Sequence, residues 1–304
     1  MNILIAGASG FIGQELVHAL IGNHNVTALG CTKNHLQKSL PENIKQITWD
    51  DLPILNAQDY DVIINLCGYN IAAKRWTNAV KQQIIYSRIA TTNNLIQWAI
   101  QCQAKPRFFC ANAVGIYGLQ EDGDTNALDE SSPIGNSHDF LSKVAINWQN
   151  ALQPALDAGI PVTITRFGVV LKRNAGMLKK LELSFKLGLG CTLGTGKQIL
   201  SWVHIDDVIR AFEFLLSHPE LTGPFNVTSP YPISQAEFAK TFAQILHRPL
   251  FLNMPATIVR LLFGEMGECL LLKGQRVLPT SLMNAGFVFR YHRITEALQH
   301  EFKS

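Results

Sequence analysis

Three glycines near the start of the chain, Gly7, Gly10 and Gly13, have the type and spacing needed to bind a phosphate group. They follow a short apolar run at residues 2–6 and precede a segment whose apolar residues recur with helical spacing. In such a unit the first glycines let the backbone approach a pyrophosphate, the last lets the helix pack closely on the strand, and the helix N-terminus attracts negative charge. Glycine spacing alone also suits an ordinary turn, but in this context it predicts dinucleotide binding.

The second strand is predicted to end at the corner where a dinucleotide's adenosine ribose would lie. NAD-binding proteins place Asp or Glu there, on the ribose 2′-hydroxyl. This strand end instead carries Cys31, Thr32 and Lys33, with Lys38 following. Basic residues suit a 2′-phosphate, so the sequence predicts NADP(H) in preference to NAD(H); the alternative is that both lysines are merely solvated.

Strand and helix patterns alternate along the first half of the chain. Strands are predicted at residues 25–29, 61–66, 107–111 and 161–167, and long helices at 77–103 and 139–158. This alternation predicts an α/β fold with a doubly wound parallel, Rossmann-like sheet. We place this domain at residues 1–170, with later strands free to join its sheet. A smaller α+β substrate lobe at 171–304 should rest on the sheet's carboxyl edge, where such folds bind ligands.

A second polar group stands near residue 205, after a predicted strand at 199–205. His204, Asp206 and Asp207 lie within four residues and resemble metal ligands or an acid–base pair. A carboxylate that caps a helix at 208–216 explains the aspartates better. No metal site is therefore predicted.

Composition restricts the possible partners. Charged residues make up 16% of the chain and apolar residues 47%, and the net charge is only +3. These values exclude disorder and give no strong field for nucleic acid or a membrane surface. The six cysteines form no C-x-x-C pair, so neither a disulfide framework nor a zinc site is expected. We expect a cytoplasmic protein with a small-molecule substrate, no nucleic acid and no membrane.

Several ordered segments resemble the extended short-chain dehydrogenase/reductase superfamily. These are GASGFIG at 7–13, NLCG at 65–68, AVGIYG at 113–118 and SWVHIDD at 201–207. Further segments, among them KRW at 74–76, YSR at 86–88, RFGVVL at 166–171, GPFN at 223–226 and GQRVLP at 274–279, resemble the poorly characterised epimerase family protein branch. The resemblance runs nearly end to end, and residues 250–300 correspond to that branch's C-terminal domain of unknown function.

The resemblance implies an NADP(H)-binding Rossmann-like domain, with substrate held between it and the C-terminal lobe. Cofactor contacts are assigned to Gly7, Ser9, Gly10, Phe11, Ile12, Gly13, Cys31, Thr32, Lys33, Leu66, Cys67, Gly68, Arg88, Ala111, Arg166 and Gly168. Substrate contacts are assigned to Gln198, Trp202 and Arg276, with core packing as the alternative for Trp202. Members that bind nucleotide sugars carry an arginine where this chain has Leu200, and Arg276 is a possible replacement.

The chain departs from the superfamily at its catalytic residues, which are a Tyr-x-x-x-Lys pair and a serine. None of the six tyrosines has a lysine four positions later. The helix that should carry the pair begins Asp139-Phe140 and retains Lys143, and the serine slot falls at Asn112 or Ala113. Asn112 and Lys143 are therefore the catalytic candidates. The amide can donate a hydrogen bond but cannot act as an acid or base, and the lysine is either a nicotinamide-ribose contact or solvated.

Two functions fit these observations. The first is an NADP(H)-dependent oxidoreductase or epimerase that acts on a small hydroxyl or carbonyl compound through a proton donor other than tyrosine. The second is a catalytically inactive NADP(H)-dependent sensor or partner-binding protein. The oligomeric state is not predicted, and a protein that binds no nucleotide is the least favoured alternative.

Overall fold

A computed structural model describes residues 1–124, 126–135 and 139–302. Its strands are β1 (Asn2–Ala6), β2 (Asn25–Gly30), β3 (Lys45–Thr48), β4 (Val62–Asn65), β5 (Arg107–Ala113), β6 (Val162–Phe167), β7 (Val169–Leu171), β8 (Cys191–Leu193), β9 (Ile199–Leu200), β10 (Trp202–His204), β11 (Gly223–Val227), β12 (Ile233–Ser234) and β13 (Leu252–Met254). Its helices are α1 (Phe11–Leu20), α2 (Lys33–Ser39), α3 (Asn78–Gln101), α4 (Phe140–Asn150), α5 (Gln153–Asp157), α6 (Gly176–Lys186), α7 (Ile205–Ser217), α8 (Gln235–Ile245), α9 (Ala256–Phe263), α10 (Glu265–Gly267), α11 (Thr280–Asn284) and α12 (Ile294–Phe302). Short 3₁₀ helices span Trp49–Ile54, Ala57–Asp59 and Val114–Tyr117, and a π-helical turn spans Glu268–Leu272.

Seven parallel strands form the central sheet in the order β11-β6-β5-β4-β1-β2-β3. The strands are apolar on both faces because helices cover both of them. Helices α1 and α7 share one core with the sheet, and α3 and α5 share the other. The predicted doubly wound α/β fold is thus confirmed. The strand order reverses at β1, so a crevice opens at the carboxyl ends of β1 and β4.

Element boundaries differ from the predicted ones where the sequence signal is short or interrupted. Strand β3 has four residues, of which only Ile47 is buried, and its pattern is too weak to predict. The helix expected at 139–158 is two helices, because Pro154 begins a new helical turn rather than continuing α4. The strand expected at 199–205 is also divided: β9 pairs with β12, and β10 pairs with β7.

The sheet recruits a strand from beyond residue 170. After crossing the smaller lobe, the chain returns through α7, which packs beside α1, and through β11, which pairs with β6. The lobe has a separate core that includes Trp202, Phe242 and Leu298. The domain boundary at 170 stays a prediction, since α7 and β11 are part of the sheet layer while the segments on either side of them belong to the lobe.

The start of α7 is capped differently from the expectation. The His204 ring, not an aspartate, caps the helix by accepting the Asp206 N–H at its Nδ1 (3.1 Å). The fully buried Asp207 carboxylate instead accepts the backbone N–H groups of Arg290 (2.6 Å) and Tyr291 (2.9 Å), and the Arg210 guanidinium (3.0 Å). Asp207 therefore attaches the C-terminal segment to the sheet layer.

Replacing Asp207 should destabilise the protein strongly. Asp207→Ala leaves the backbone N–H groups of Arg290 and Tyr291 without their buried acceptor, and we expect a loss of about 3 kcal/mol of unfolding free energy in urea titrations. The exposed Asp50 offers a matched control, and Asp50→Ala should change stability by less than about 0.5 kcal/mol. Equal stability of the two variants would contradict the anchoring role of Asp207.

Candidate nucleotide and substrate site

The glycine turn has no room for side chains at two of its three glycines. Gly7 has φ +79°, and a Cβ there would lie 2.9 Å from the Leu66 carbonyl carbon. A Cβ on Gly13 would lie only 2.3 Å from the Gly7 carbonyl oxygen. Helix α1 therefore rests directly on the backbone of the turn. Its N-cap, Gly10, supplies no side-chain acceptor, so the first N–H groups of α1 stay available to an anion.

The predicted ribose corner lies where β2 ends. Thr32 caps α2 by accepting the His35 N–H, and Lys33 is 63% exposed, with its Nζ 3.8 Å from the Asp51 carboxylate. Hydrogen bonds from the Thr48 backbone and hydroxyl lower the pKa of Asp51. As expected, β2 carries no Asp or Glu at its end. The Asp51 carboxylate, however, reaches this corner from the segment that follows β3. No local pattern in the sequence points to Asp51, because its position depends on the pairing of β2 with β3.

A buried guanidinium lies behind the loop that follows β4. A Cβ on Gly68 would be 2.9 Å from the Arg88 Cζ, so the loop backbone lies directly against this side chain. Arg88 Nη1 donates to the carbonyls of Tyr69 (3.1 Å) and Ile84 (2.9 Å), and its guanidinium stacks on Trp148 at 5.0 Å. Burial lowers the pKa of Arg88 to about 10. Among the residues that the structure describes, the partners of this cation are neutral, and it lies at the edge of the crevice.

The thiol in the same loop is held in its neutral form. Burial raises the pKa of Cys67 to about 12, and its backbone N–H donates to the Asn65 carboxamide (3.1 Å). Leu66 packs against both cores of the sheet. The hydrogen bond to Asn65 and the packing of Leu66 thus hold this loop beside the predicted nucleotide crevice. Cys67 supplies no thiolate there.

The candidate Asn112 is occupied by contacts within the protein. Its carboxamide donates to the Ala145 carbonyl of α4 (3.1 Å) and accepts the Ala113 N–H (2.8 Å). Asn112 is buried, whereas Ala113 is exposed at the end of β5. Of the two residues proposed for the serine slot, the structure therefore exposes the one that cannot form a side-chain hydrogen bond. The catalytic role of Asn112 stays a prediction.

The other candidate, Lys143, is accessible. It lies in the first turn of α4, its side chain is exposed, and none of the ion pairs among the described residues involves it. Asp139, four residues earlier, caps α4 by accepting the Ser142 N–H (3.0 Å) and hydroxyl (2.5 Å). Phe140 is buried against Trp76, with ring centroids 4.8 Å apart. The tyrosine slot thus holds a helix cap followed by a packing residue.

Arg166 lies in a buried polar network beneath the carboxyl edge. Its Nη1 donates to the Tyr117 hydroxyl (2.7 Å) and its Nη2 to Gln149 (2.9 Å), and the Tyr117 hydroxyl donates to the Asn226 carboxamide (2.9 Å). Burial raises the pKa of Tyr117, although the Arg166 charge opposes that shift. The Asn226 backbone N–H donates to the Glu130 carboxylate (2.7 Å), and its side-chain amide donates to the Leu278 carbonyl (3.0 Å). In the sequence, Tyr117 and Asn226 stand out only as parts of the AVGIYG and GPFN segments.

Two smaller cofactor candidates also lie at this edge. Ala111 is buried in β5, and a Cβ on Gly168 would lie 2.5 Å from the Ser201 carbonyl oxygen. Gly168 thus permits the close approach of β6 to the lobe. The segment around the glycine turn also contacts the lobe, because the Phe11 ring lies 3.5 Å from the position of a Cβ on Gly176. Ser9 accepts the Gln14 amide at its backbone carbonyl, and Ile12 packs on the core of the sheet.

The three substrate candidates differ in how far their side chains are buried. Trp202 is fully buried in the lobe core, and its Nε1 donates to the Tyr231 carbonyl (3.1 Å). Gln198 is buried, and its amide donates to the carbonyls of Leu193 and Leu271. Arg276 is exposed, and its backbone N–H donates to Gln120. Trp202 is therefore a core residue, which was the alternative to substrate contact. Of the three predicted substrate contacts, only Arg276 presents its side chain to solvent.

His204 belongs to a cluster that superficially resembles a metal site. Ligand atoms of His204, His300 and Glu301 lie within 4.8 Å of one another. The His204 Nδ1 already accepts the Asp206 N–H, so the ring proton lies on Nε2, which donates to Glu301 (2.9 Å). A metal on Nε2 would need the opposite tautomer. The cluster is therefore a hydrogen-bonded clamp on α12, and the Glu301 pKa is lowered by its bonds to His204 and Arg173 despite its burial.

Comparisons with known proteins agree with this architecture. The sequence model of the NAD dependent epimerase/dehydratase family matches residues 3–229, and that of a domain of unknown function, DUF1731, matches residues 254–301. The chain belongs to the NAD dependent epimerase/dehydratase family. The predicted resemblance to its epimerase family protein branch is confirmed.

Relatives of this family cover the whole chain. Epimerase family protein Mb2239 of Mycobacterium bovis is 36% identical over 301 residues, which are 97% of this chain and 96% of the relative. Epimerase family protein YfhF of Bacillus subtilis is 34% identical over 300 residues, 98% of this chain and 97% of that one. Within the described residues, no helix combines the length and apolarity required to cross a bilayer.

Solved structures show the same fold. The human epimerase family protein SDR39U1 (isoform 2), crystallised with NADPH, superposes with a TM-score of 0.88 at 29% identity and full coverage of both chains. UDP-glucuronic acid 4-epimerase from Bacillus cereus, in complex with UDP-glucuronic acid and NAD, gives a TM-score of 0.75 at 18% identity, covering 100% of this chain and 98% of that one. The second similarity concerns the fold alone.

Because Gly13 has no room for a Cβ, we expect one added methyl group there to reduce both stability and NADPH affinity. Gly13→Ala forces α1 away from the turn, so we expect a loss of about 2 kcal/mol in stability and a clear rise in the dissociation constant for NADPH. Gly22, just after α1, has no atom within 4 Å of an added Cβ, and Gly22→Ala should leave both quantities unchanged. Chemical denaturation and fluorescence titration with NADPH measure the two effects. Tight NADPH binding by Gly13→Ala would contradict the role of the turn.

Proposed function

We propose that this protein is an NADP(H)-binding oxidoreductase or epimerase that acts on a small hydroxyl or carbonyl compound without a Tyr-x-x-x-Lys pair. The observation that supports it most is the turn at Gly7 and Gly13, whose backbone cradle an added Cβ would fill. The human relative crystallised with NADPH supports the same cofactor class at 29% identity. A second lobe facing the crevice provides a place for a substrate.

The preference for NADP(H) is part of the proposal. Lys33 and Lys38 are both exposed on α2, next to the predicted ribose corner, and can reach a 2′-phosphate. Asp51 lies within 3.8 Å of Lys33 and restricts where this lysine can point. The Arg88 guanidinium, whose partners in the described part of the chain are two carbonyls and an aromatic ring, adds positive charge near the crevice. These cations suit a ligand with an additional phosphate.

The chemistry must use few protein groups. A bound nicotinamide would donate or accept a hydride at the carboxyl edge of the sheet. In the described structure Ala113 offers no hydrogen bond from the serine slot, and the Asp139 carboxylate is occupied by the cap of α4. Lys143 is exposed in the first turn of α4 and remains able to donate to a ribose or substrate oxygen. We therefore assign the positioning of the nicotinamide ribose to Lys143.

A second function is supported by the loss of the usual proton donor. The tyrosine slot holds Asp139, and of the two residues at the serine slot Ala113 cannot donate and the Asn112 amide is bonded to Ala145, while the glycine turn keeps its close packing. Such a combination would also suit a protein that binds NADP(H) and responds to it without turnover. The two functions differ in whether a carbonyl compound is reduced.

Removal of Lys33 should change the choice of cofactor. Lys33→Ala loses a charge-assisted contact to the 2′-phosphate, so we expect NADPH affinity to fall about tenfold while NADH affinity stays the same. Lys45→Ala is the matched control, because Lys45 is exposed at the amino-terminal end of β3, away from the carboxyl edge at which Lys33 lies. Calorimetric titrations with both nucleotides give the four affinities. Tighter binding of NADH than of NADPH by the unaltered protein would overturn the preference.

Removal of Lys143 tests turnover. With NADPH and a broad panel of aldehydes and ketones, we expect Lys143→Ala to lower kcat about 100-fold, since an oriented donor contributes on this scale. Lys240→Ala on α8 serves as the control and should react at the original rate. Equal rates for both variants would show that Lys143 is only solvated. NADPH binding without reduction of any panel member would favour the sensor function.

A further inference from the structure

The smaller lobe carries large apolar side chains that the chain leaves uncovered. They come from the end of α6 and the loop after it, from β13 with its preceding residue, and from α9. Their exposures range from 45% to 88%, and they are Leu183, Leu187, Leu189, Phe251, Leu252, Ile258, Leu261 and Leu262. We call this set the lobe patch. Single exposed apolar residues are ordinary, but a group on one surface marks a contact site.

The lobe patch is built on one small structural unit. Strands β8 and β13 pair in parallel with Cys191 opposite Leu252, so the loop after α6 runs beside the residues that precede β13. Helix α9 follows β13 after a single proline, and its first residue, Ala256, lies 3.7 Å from the position of a Cβ on Gly194 at the end of β8. The contributing segments are therefore neighbours in space.

The exposed face of α6 combines cationic and apolar side chains. Five exposed residues share it through their i+3 and i+4 spacing, and they are Lys179, Lys180, Leu183, Lys186 and Leu187. The opposite face is buried in the lobe core through Leu178 and Phe185. Lysine stems reach past apolar neighbours and carry their ammonium groups to a polar boundary. Leucines set among lysines on one helix face are typical of helices that lie in the interface of a bilayer.

Helix α9 presents an apolar face without cations among its leucines. Ile258, Leu261 and Leu262 share this face through their i, i+3 and i+4 spacing, and all three are exposed. The opposite side is also apolar, because Val259 is fully buried against the lobe. A helix that is apolar on both sides is ordinarily covered on both. The described chain supplies no cover for the outer face.

Basic residues outnumber acidic ones around the lobe patch. The segments 176–189 and 246–263 contain one acid, Glu182, against Lys179, Lys180, Lys186, Arg248 and Arg260, and all five basic side chains are exposed. The whole chain has 26 Lys and Arg against 23 Asp and Glu. The small basic excess of the chain is therefore concentrated in these two segments.

Neighbouring carboxylates neutralise only part of this charge. Three ion pairs lie at the rim of the lobe patch: Glu268 with Arg260 (2.6 Å), Glu265 with Lys81, and Glu182 with Lys186 (2.7 Å). The Glu182 carboxylate is shared, since Arg173 also lies 3.3 Å from it. Lys179, Lys180 and Arg248 form none of the ion pairs found among the residues that the structure describes. Their charges are left for an anionic partner.

The lobe patch adjoins the loop after β4, which borders the predicted crevice. Lys180 on α6 donates to the Ala72 carbonyl of this loop. Three residues later, Arg75 Nη2 lies 3.2 Å from the position of a Cβ on Gly264, at the end of α9. Arg75 is exposed and adds a further cation at this rim. A partner seated on the lobe patch would therefore lie beside the entrance to the crevice.

We propose that the lobe patch docks this protein on the surface of an anionic lipid bilayer. Its apolar side chains enter the boundary between head groups and acyl chains, while the surrounding lysines and Arg248 contact phosphate-bearing head groups. The expectation of no membrane partner rests on the net charge of +3, which averages over this local excess. Two identical copies face each other less well here, because their cations would repel.

The test measures binding of the full chain to lipid vesicles by flotation. We expect binding to vesicles made of equal parts phosphatidylcholine and phosphatidylglycerol, and much weaker binding to phosphatidylcholine alone. Added NaCl should weaken the binding, because salt screens the attraction between the cations and the head groups. Absence of binding to the anionic vesicles would overturn the proposal.

Two double variants separate the apolar from the electrostatic contribution. Leu187→Glu/Leu261→Glu places carboxylates against the lipid in two segments of the lobe patch and should raise the dissociation constant for anionic vesicles about 100-fold or more. Lys179→Gln/Arg248→Gln should raise it about 20-fold, since each cation near an anionic surface contributes roughly a factor of five. It should leave binding to phosphatidylcholine unchanged.

Matched controls change the same residue types away from the lobe patch. Ile54→Glu alters an apolar side chain that is 83% exposed on the 3₁₀ helix beside β3. Lys45→Gln/Lys105→Gln removes two exposed cations at the amino-terminal ends of β3 and β5. Both controls should bind anionic vesicles like the unaltered protein, and equal loss of binding in a control and in its matched variant would contradict a role of the lobe patch.

Two further measurements make the result decisive. Circular dichroism and thermal unfolding check that each variant is folded, and Leu261→Glu alone replaces the double leucine variant if that one is not. Vesicle binding that persists in a folded leucine variant would overturn the proposal. Sedimentation of the unaltered protein as a dimer that no longer binds vesicles would also overturn it, by showing that a second copy covers the lobe patch.

Discussion

The close contact between α1 and the turn that precedes it determines how the crevice is built. A Cβ on Gly13 would lie only 2.3 Å from the Gly7 carbonyl oxygen, so α1 packs directly on this carbonyl. The N-terminus of α1 therefore points toward the carboxyl edge of the sheet. Gly7 itself lies against the backbone after β4, so the same turn fixes the width of the crevice between β1 and β4. The loop that follows β4 is then held in place by Arg88. Each later feature of the site depends on this backbone packing.

The C-terminal segment is attached to this framework chiefly through carboxylates that accept backbone N–H groups. Glu130 joins Asn226 of β11 to Ser281, and Asp207 holds the backbone at Arg290 and Tyr291. Backbone N–H donors are offered by any sequence, so such bonds fix the path of the segment without requiring matched side chains along it. This arrangement explains how a lobe assembled from separated stretches of chain keeps one position against the sheet.

Much of the fold was predictable because its signals are local. The apolar runs of β1, β2, β4 and β6 and the glycine turn are written in consecutive residues, and a parallel sheet follows from their alternation with helices. The positions of Asp51 and of the amide of Asn112 were not predictable. Asp51 reaches the ribose corner through strand pairing, and Asn112 turns toward Ala145 on a helix more than thirty residues later. The burial of Trp202 was one of two alternatives, and only the packing of the lobe decides between them.

The few charged groups of this chain, whose net charge is only +3, are unevenly distributed. Near the carboxyl edge, Arg88 and Arg166 have neutral partners among the described residues: carbonyls, a hydroxyl, an amide and aromatic rings. These partners carry no formal negative charge and leave the buried Arg166 Nε without a hydrogen bond, so they do not neutralise the two positive charges. The buried carboxylates of Asp207 and Glu301 are instead used at the seam with the C-terminal segment. Guanidinium groups thus lie near the carboxyl edge of the sheet, where the positive end of α1 also points, and carboxylates lie at the seam, so the net charge does not describe how the charges are distributed.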